Sequence, residues 1–566
     1  MTVSLAGPGY LLLPGFVMMV CGLAMLPLRG VARAAMVIAG PLVVLALVWL
    51  LPEGPSQPVA WLGYQLVPFD SDPLARLFAS AFAVVALAAG LFAIRQERRT
   101  ESPVAYLYAG GAIGVAFAAD FLTLFVFWEA MAVLAAVIVW MGGPKARGAG
   151  QRYIVIHLLG GVLLMAGIAG HVAATGTVAI GPLTLDSPAT WLILLGFLVN
   201  VAAWPISAWL PDAYPAASWS GTVFLSAFTT KAAVLALIRT FAGADILVVA
   251  GLATIVYASL YAARESNIRR IVAYSLVAQL GFMLTATGVG SDLAINGAAA
   301  HAVAGIIYQA LLFMGAGAVF YVTGKQDCGD LGGLYRAMPV TTVCTLVGAL
   351  SIAAFPLTSG YVAKALISDS IAASGGAVAW FVVTAGSAAA VLHAGWRLPW
   401  TVFFGRDAGV AASDPPVSMQ WAMVLLAVVS VAIGLFPSAF YSLLPTPAGE
   451  NPYSFSHVVA QLQLLVFAGL GFMALRRWLT PAHTTTLDVD WLWRWLGPRV
   501  YRRLDGGSAR ARETIVQRGY QGAERIIRTI YRHHGPRGVL ARAWPTGSMA
   551  LWAVFLLGAY LVFYYL

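Results

Sequence analysis

Long apolar stretches recur along almost the whole chain, and short polar loops separate them. A helix needs about 20 apolar residues to cross a bilayer, and only helices and closed barrels satisfy their backbone polar groups in lipid. A membrane barrel would instead show segments of about ten residues with alternating polarity, and this sequence shows none. The pattern therefore predicts an all-α fold, a polytopic transmembrane helical bundle.

The apolar pattern predicts about 14–16 membrane segments, some of which are halves of one interrupted helix. They fall near 10–28, 31–51, 73–94, 103–119, 121–141, 153–175, 189–210, 221–241, 246–263, 268–289, 294–322, 339–374, 376–397, 418–438, 457–478 and 549–566. The predicted regions are N-terminal helices in 1–100, a core in 101–400, C-terminal helices in 401–483, a basic surface segment in 484–548 and a last span in 549–566. The short connections leave no room for a soluble catalytic domain.

The composition agrees with a membrane protein, because only 10% of the 566 residues are charged and 60% are hydrophobic. Soluble domains carry about 25% charged residues. The net charge of +10 is concentrated near the C-terminus, where twelve arginines lie between Arg494 and Arg542. The segment "ETIVQRGYQGAERIIRTIYR" has apolar residues at helical spacing, which predicts an amphipathic helix on the membrane surface. Anionic lipid headgroups or a neighbouring protein therefore suit this segment better than nucleic acid.

Three basic clusters, at 95–99, 145–152 and 264–270, are predicted to face the cytoplasm under the positive-inside rule. The N-terminus lacks the basic flank of a cleavable signal peptide, so we expect the first helix to remain as a permanent span. The three cysteines form no CxxC motif or Cys/His cluster, and no phosphate-binding loop is present. We therefore expect no metal and no cofactor such as flavin, iron–sulfur cluster or nucleotide in this chain.

Two apolar runs contain helix-breaking residues. The first is "WLPDAYP" at 209–215, and the second is "FPLTSGYVAKALI" at 355–367, where Pro356 and Gly360 lie within the run. A lysine follows each break, Lys231 after the first run and Lys364 within the second. Corresponding breaks in two halves of a transporter indicate an ion site.

Four ionisable residues lie inside predicted spans: Glu129, Lys231, His301 and Lys364. Each costs roughly 2.5–3.5 kcal/mol to insert, so each is a functional candidate. Low-dielectric surroundings disfavour the charged states of lysine, glutamate and histidine, so such groups joined by water can pass a proton along. The alternative for any one of them is structural, such as a lysine reaching the interface or a histidine bonded to a carbonyl.

Other polar residues are weaker candidates. We expect His157, His171 and His393 to be packed or interfacial, and Arg269 and Arg270 to anchor a cytoplasmic loop. Asp212 suits a structural turn and a functional role equally well.

Five motifs, which lie within roughly residues 70–400, resemble the antiporter-like subunits shared by Mrp-type multisubunit cation/proton antiporters and respiratory complex I. They are "FWEAM", "WLPDAYP", "FLSAFTTKAAVLALIR", "NIRRIVAYSLVAQLGFM" and "FPLTSGYVAKALI". The forms "AFTTK" and "IRRIVAYSL" are most similar to the D-type subunit of the Mrp antiporters. The resemblance implies two inverted five-helix repeats, each with a broken helix, and a polar axis along the membrane mid-plane.

The resemblance also implies roles for the four ionisable residues. Glu129 matches the glutamate that starts the axis, Lys231 the lysine after the first broken helix, His301 a relay histidine and Lys364 the lysine of the second broken helix. The chain departs from the family pattern at Gly305 and Gln309, where a second histidine and a lysine are common. An acid is also common where Ala216 stands. These departures affect the middle and the second half of the relay.

Three functional hypotheses follow. The first is a proton-translocating subunit of a Mrp-type monovalent cation/proton antiporter in a bacterial inner membrane, which works with other subunits and is not an enzyme by itself. The second is a proton-pumping membrane subunit of an oxidoreductase like complex I or a membrane-bound hydrogenase, where the chain would form part of a translocase. The third is a scaffold whose relay is incomplete at Gly305 and Gln309. The sequence leaves open the coupled cation, its path and the stoichiometry.

Overall fold

The structure, a computed structural model, describes residues 13–475 except 448 and 450, separate positions between 488 and 529, and residues 546–565. The chain divides into two units, Met1–Asp488 and Val489–Leu566. The helices of the first unit are α1 Pro14–Ala24, α2 Gly30–Leu50, α3 Pro73–Phe92, α4 Glu101–Phe117, α5 Phe121–Trp140, α6 Arg147–Thr175, α7 Pro188–Asn200, α8 Trp209–Ala213, α9 Gly221–Ala227, α10 Thr229–Thr240, α11 Asp245–Arg264, α12 Ile268–Val289, α13 Asp292–Thr323, α14 Pro339–Ile352, α15 Ser359–Ala373, α16 Ala377–Ala390, α17 Val417–Leu435, α18 Pro437–Tyr441 and α19 Phe455–Leu475. Helix α16 continues into two π-helical stretches, Val391–Arg397 and Trp400–Phe404.

The predicted all-α membrane bundle is confirmed. Within the described residues, 12 helices are long and apolar enough to cross a membrane, and three shorter apolar helices accompany them. Together these helices agree with the predicted 14–16 segments, which included halves of interrupted helices. The last predicted span corresponds to the helix Thr546–Tyr565 of the second unit. The amphipathic surface helix predicted in 484–548 lies largely outside the described residues.

Two small β-ladders, which the hydropathy pattern did not predict, connect α2 and α3. Strand β1 (Gly54–Pro55) pairs with β4 (Asp70–Ser71), and β2 (Val59–Trp61) pairs with β3 (Tyr64–Leu66), both antiparallel. Leu62 and Gly63 form the two-residue turn between β2 and β3 with φ values of 48° and 85°. Positive φ at both turn residues matches the right-handed twist of a hairpin, which explains the glycine there.

Two runs of helices follow each other in the same order. Helices α4 to α10 comprise two spans, a long helix, an interrupted helix (α7–α8) and a further span, and α11 to α16 repeat this order. The long third members have 29 residues in α6 and 32 in α13. Because five crossings is an odd number, the second run begins on the face opposite to the first, and the two repeats are inverted.

The three basic clusters lie on one face, which we call the basic face. Arg152 forms an ion pair of 2.7 Å with Asp212, at the end of α8. Arg269 donates to the carbonyl of Ala217 at 2.9 Å, and Gln96 donates to Ser220 at 2.7 Å, so the clusters at 95–99 and 264–270 border the same loop. The ion pair between Asp72 and Arg239 marks the opposite face, where α3 begins and α10 ends. This arrangement is what the positive-inside rule requires of three cytoplasmic loops.

The first helix break lies upstream of its predicted place. Trp209–Ala213 is helical, and Pro211 lies in the first turn of α8, where a missing N–H costs nothing. The chain instead leaves the helix at 201–208, and the matching break is at 353–358. The two breaks carry similar sequences, "VAAWP" at 201–205 and "IAAFP" at 352–356. Both contain a residue with positive φ, Ala202 at 57° and Ala354 at 55°, which stops helical hydrogen bonding.

Candidate functional site

Lys231 lies in the middle of the fifth span of the first repeat and is fully buried. This span is interrupted at Phe228, where α9 gives way to α10 with φ −101° and ψ −67°. The ammonium of Lys231 donates to the carbonyl of Ser226 at 2.7 Å. Ser226 belongs to the last turn of α9, where carbonyls lack intrahelical partners. The interruption therefore supplies the acceptor that a buried ammonium needs.

Lys364 is held in the same way in the second repeat. It lies on α15 with 5% of its surface exposed, and its ammonium donates to the carbonyl of Ile352 at 3.0 Å. Ile352 is the last residue of α14, so the positive charge lies at the negative end of a helix dipole. The ammonium also lies 4.9 Å from the ring centroid of Phe282. The two predicted lysines thus both bind a carbonyl at a helix interruption.

The charges of Lys364 and Lys231 both act on the ring of His301. It is fully buried on α13, and its Nε2 lies 3.0 Å from Oε1 of Gln279. Its Nδ1 has no hydrogen-bond partner among the described residues. The imidazole centroid is 6.0 Å from the ring of Phe282, the same ring that Lys364 contacts. The structure therefore brings Lys231, His301 and Lys364 into one buried group.

Glu129 stands apart from this group. It lies half-buried on α5, and its carboxylate lies against Gly161 of α6, where no Cβ fits. Among the described residues, no hydrogen bond or ion pair joins Glu129 to Lys231, His301 or Lys364, and its Oε1 has no partner. The contacts described for the other three candidates therefore do not include Glu129.

His393, which was expected to be packed or interfacial, is fully buried. Its Nδ1 lies 3.0 Å from the hydroxyl of Ser275 on α12, and the charges of Arg397 and, less strongly, Lys364 act on its ring. Its Nε2 has no partner in the described part of the chain. The residue lies in the π-helical continuation of α16, and π-helical turns occur often at functional sites. Hydropathy gave no signal for it, since π-helical geometry depends on packing.

The positions that depart from the family pattern lie on the same helix as His301. A Cβ added at Gly305 would lie 3.2 Å from the terminal methyl of Met283. Gln309 is fully buried, and neither atom of its amide has a partner among the described residues. Buried polar atoms need hydrogen bonds, and water supplies them in polar interiors. The Gln309 amide can therefore bind water at the position where the resemblance implies a lysine.

Glu101 is a buried acid that sequence reasoning missed. It has no exposed surface, and its Oε1 accepts hydrogen bonds from Ser218 and Ser220. Arg269, which was expected to be a loop anchor, is also buried and bonds the carbonyls of Ala217 and Ser218. Both lie at the basic face. Glu101 follows the basic cluster at 95–99, so the sequence alone suggests that it is an exposed loop residue.

A large cavity, of about 970 Å³, lies away from this group, and Lys325, Cys328 and Arg397 are among the residues that line it. Burial raises the pKa of the Cys328 thiol, which keeps it protonated and unreactive. In the part of the chain that the structure describes, no three His, Cys, Asp or Glu side chains are grouped as a metal site requires.

Comparison with known proteins identifies the core. Residues 118–392 match the family described as NADH:quinone oxidoreductase/Mrp antiporter, TM. A probable K(+)/H(+) antiporter protein of Rhizobium meliloti, of the combined A/B type, is 28% identical over 65% of this chain and 40% of that protein. The D-type Na(+)/H(+) antiporter subunit of Alkalihalophilus pseudofirmus is 28% identical over 54% of this chain and 67% of that protein. The N-type NADH-quinone oxidoreductase subunit of Desulforudis audaxviator is 30% identical over 54% of this chain and 66% of that protein.

Solved structures show the same fold. A chain of the Mrp complex from Dietzia sp. DQ12-45-1b has a TM-score of 0.76 at 24% identity, covering 88% of this chain and 60% of that one. A chain of the archaeal membrane-bound sulfane sulfur reductase has a TM-score of 0.71 at 22% identity. The match covers 96% of this chain and 99% of that one. This chain spans 40% and 48% of the length of two curated relatives of the A/B and A types. Residues 118–392, about half of this chain, are thus similar to the antiporter-like membrane family that NADH:quinone oxidoreductases and Mrp antiporters share.

Proposed function

We propose that this chain is a proton-translocating subunit of a Mrp-type monovalent cation/proton antiporter complex in a bacterial inner membrane. The protons move along Glu129, Lys231, His301 and Lys364, and other subunits complete the complex and the cation path. Relatives of the A type and of the D type both match the core, so the proposal of a D-type subunit rests on the motifs "AFTTK" and "IRRIVAYSL".

One observation carries the proposal. Lys231 and Lys364 each donate to a carbonyl at a helix interruption, and His301 lies within the field of both. Burying two ammonium groups and an imidazole near one another costs stability, and such intramembrane groups mark ion or proton pathways. A neutral carbonyl holds each ammonium without a permanent counter-charge, which leaves its proton exchangeable.

The test is cation-dependent proton flux in everted vesicles that contain the full complex. Lys231→Ala should reduce the flux at least about tenfold, because a positioned proton-transfer group contributes about 10²–10⁴-fold. Lys145→Ala, at an exposed lysine of the basic face, is the matched control and should leave the flux unchanged. An unchanged flux in Lys231→Ala, with normal assembly, would favour the scaffold hypothesis and its incomplete relay at Gly305 and Gln309.

A second candidate is a proton-pumping subunit of a complex I-like or membrane-bound hydrogenase-like oxidoreductase. The observation that favours it is the 30% identity to a protein named as an NADH-quinone oxidoreductase subunit. Purification of the tagged chain from its native membrane separates the two candidates. Small hydrophobic antiporter subunits in the purified complex support the first, and hydrophilic subunits with redox cofactors support the second.

A further inference from the structure

A second cavity, of about 450 Å³, reaches Lys364 from the side of the bundle. Helices α15, α16 and α19 form its walls, and α19 lies outside the segment that matches the family. A water molecule takes up about 30 Å³, so the cavity has room for roughly fifteen of them. It therefore offers a hydrated space next to a lysine that is otherwise enclosed by protein.

An acid and a histidine line this cavity together with Lys364. His457 Nε2 lies 3.2 Å from Oδ1 of Asp369, and their side chains are 37% and 26% exposed. Tyr361 is the other titratable group of the lining, and α16 contributes the hydroxyls of Thr384 and Ser387. The exposed fraction of the side chains thus increases from Lys364 to Asp369 and His457.

The position of the pair within the fold indicates which face the cavity serves. Helix α14 starts on the basic face, because α13 ends there, and α15 continues across the membrane. Asp369 lies five residues beyond Lys364 on α15, which is about 7.5 Å farther toward the opposite face. Helix α19 starts near that face and places His457 in its first turn, while its Gln461 donates to the carbonyl of Ala353 in the helix break.

We propose that this cavity is the port through which Lys364 exchanges protons with the aqueous phase opposite the basic face, with Asp369 as the acceptor at the port and His457 as its partner. The inference rests on the proposed function, since it extends the same pathway. An N–H bond of the Lys364 ammonium breaks, water carries the proton, and an O–H bond forms on the Asp369 carboxylate. The lysine is left neutral, and the proton then passes to bulk water.

Cysteine labelling tests the water route without depending on transport. In a background with Cys21, Cys328 and Cys344 replaced by alanine, Ser368→Cys and Ala365→Cys place thiols in the cavity wall. A charged, membrane-impermeant methanethiosulfonate should label both from the outside of intact cells, and Ala365→Cys more slowly.

Two control positions accompany this experiment. Lys145→Cys should react only in everted vesicles, and Val466→Cys, exposed on α19, should not react if it faces lipid. Labelling of the cavity thiols only from the basic face, or from neither face, overturns the proposal.

A transport measurement tests the role of the acid. Asp369→Asn should lower proton flux by at least about tenfold, while the control Asp186→Asn, an exposed aspartate near the same face, should not. Normal flux in Asp369→Asn overturns the port even if Lys231→Ala confirms transport. Normal flux in Lys231→Ala instead removes the proposed function, and the two failures are therefore distinguishable.

Discussion

The ammonium of Lys364 lies 3.0 Å from the carbonyl oxygen of Ile352, the residue at which α14 ends. The same arrangement recurs in the first repeat, where Lys231 binds the carbonyl of Ser226. Helix ends leave carbonyls without intrahelical partners, so each interruption creates an acceptor in a region where water is scarce. The interrupted helices thus supply the acceptors that the buried lysines need.

Lys364→Met removes this charge with little change in side-chain volume. Proton flux should fall at least about tenfold, because methionine cannot carry a proton. Assembly should persist, since replacing a buried charge by an apolar group of similar size is often neutral or stabilising. Flux in vesicles and the yield of intact complex measure the two effects. Loss of the complex in Lys364→Met, with Lys145→Met intact, would show that the lysine is structural.

Glu129→Gln should lower proton flux while leaving assembly intact, because glutamine is nearly isosteric with glutamate but cannot be charged. Oε1 of this half-buried carboxylate has no hydrogen-bond partner among the described residues, so the folded state should tolerate the change. Native gel analysis of the complex measures assembly, and vesicle assays measure flux. A variant that fails to assemble would make a structural role the better explanation for Glu129.

Gly161→Ala should have the same effect on flux as Glu129→Gln. A Cβ at Gly161 would overlap the Glu129 carboxylate, so the acid must move away from α6. Gly148→Ala is the matched control on the same helix, because its Cβ would meet only the flexible end of Arg152. If Gly161→Ala and the control Gly148→Ala have equal flux, the position of Glu129 is unimportant.

Glu101→Gln should lower the melting temperature of the purified chain in detergent. The carboxylate accepts hydrogen bonds from Ser218 and Ser220, and hydrogen bonds to a charged group contribute about 1.5–3 kcal/mol. The nearby Arg269 also loses a compensating charge. Glu97→Gln, at an exposed acid of the adjacent loop, should leave the melting temperature unchanged. Equal melting temperatures for both variants would contradict a structural role for Glu101.

The ion pair between Arg152 and Asp212 has two hydrogen bonds, of 2.7 and 2.9 Å. A double-mutant cycle with Arg152→Gln and Asp212→Asn should give a coupling energy of about 1 kcal/mol, because the residues are in direct contact. Thermal unfolding of the four proteins measures it. Additive effects of the two substitutions would mean that the ion pair contributes nothing to stability. The presence of Asp212 at this position would then need another explanation.

The amino-acid sequence by itself determined the class of the fold and most of its elements. Transfer of a helix into lipid depends on the summed hydrophobicity of about 20 consecutive residues, a local property that can be read from the sequence alone. For the same reason Glu129, Lys231, His301 and Lys364 stood out as costly insertions. The family motifs also indicated two repeats with one broken helix each.

Only the tertiary structure decided where the first break lies and which groups meet. The proline-rich stretch at 209–215 is conspicuous in the sequence, but Pro211 is harmless in a first helical turn, and the break falls at 201–208. The contact between His393 and Ser275 and the burial of Glu101 depend on which helix faces touch. Such contacts join residues more than a hundred positions apart, so no local pattern of polarity records them.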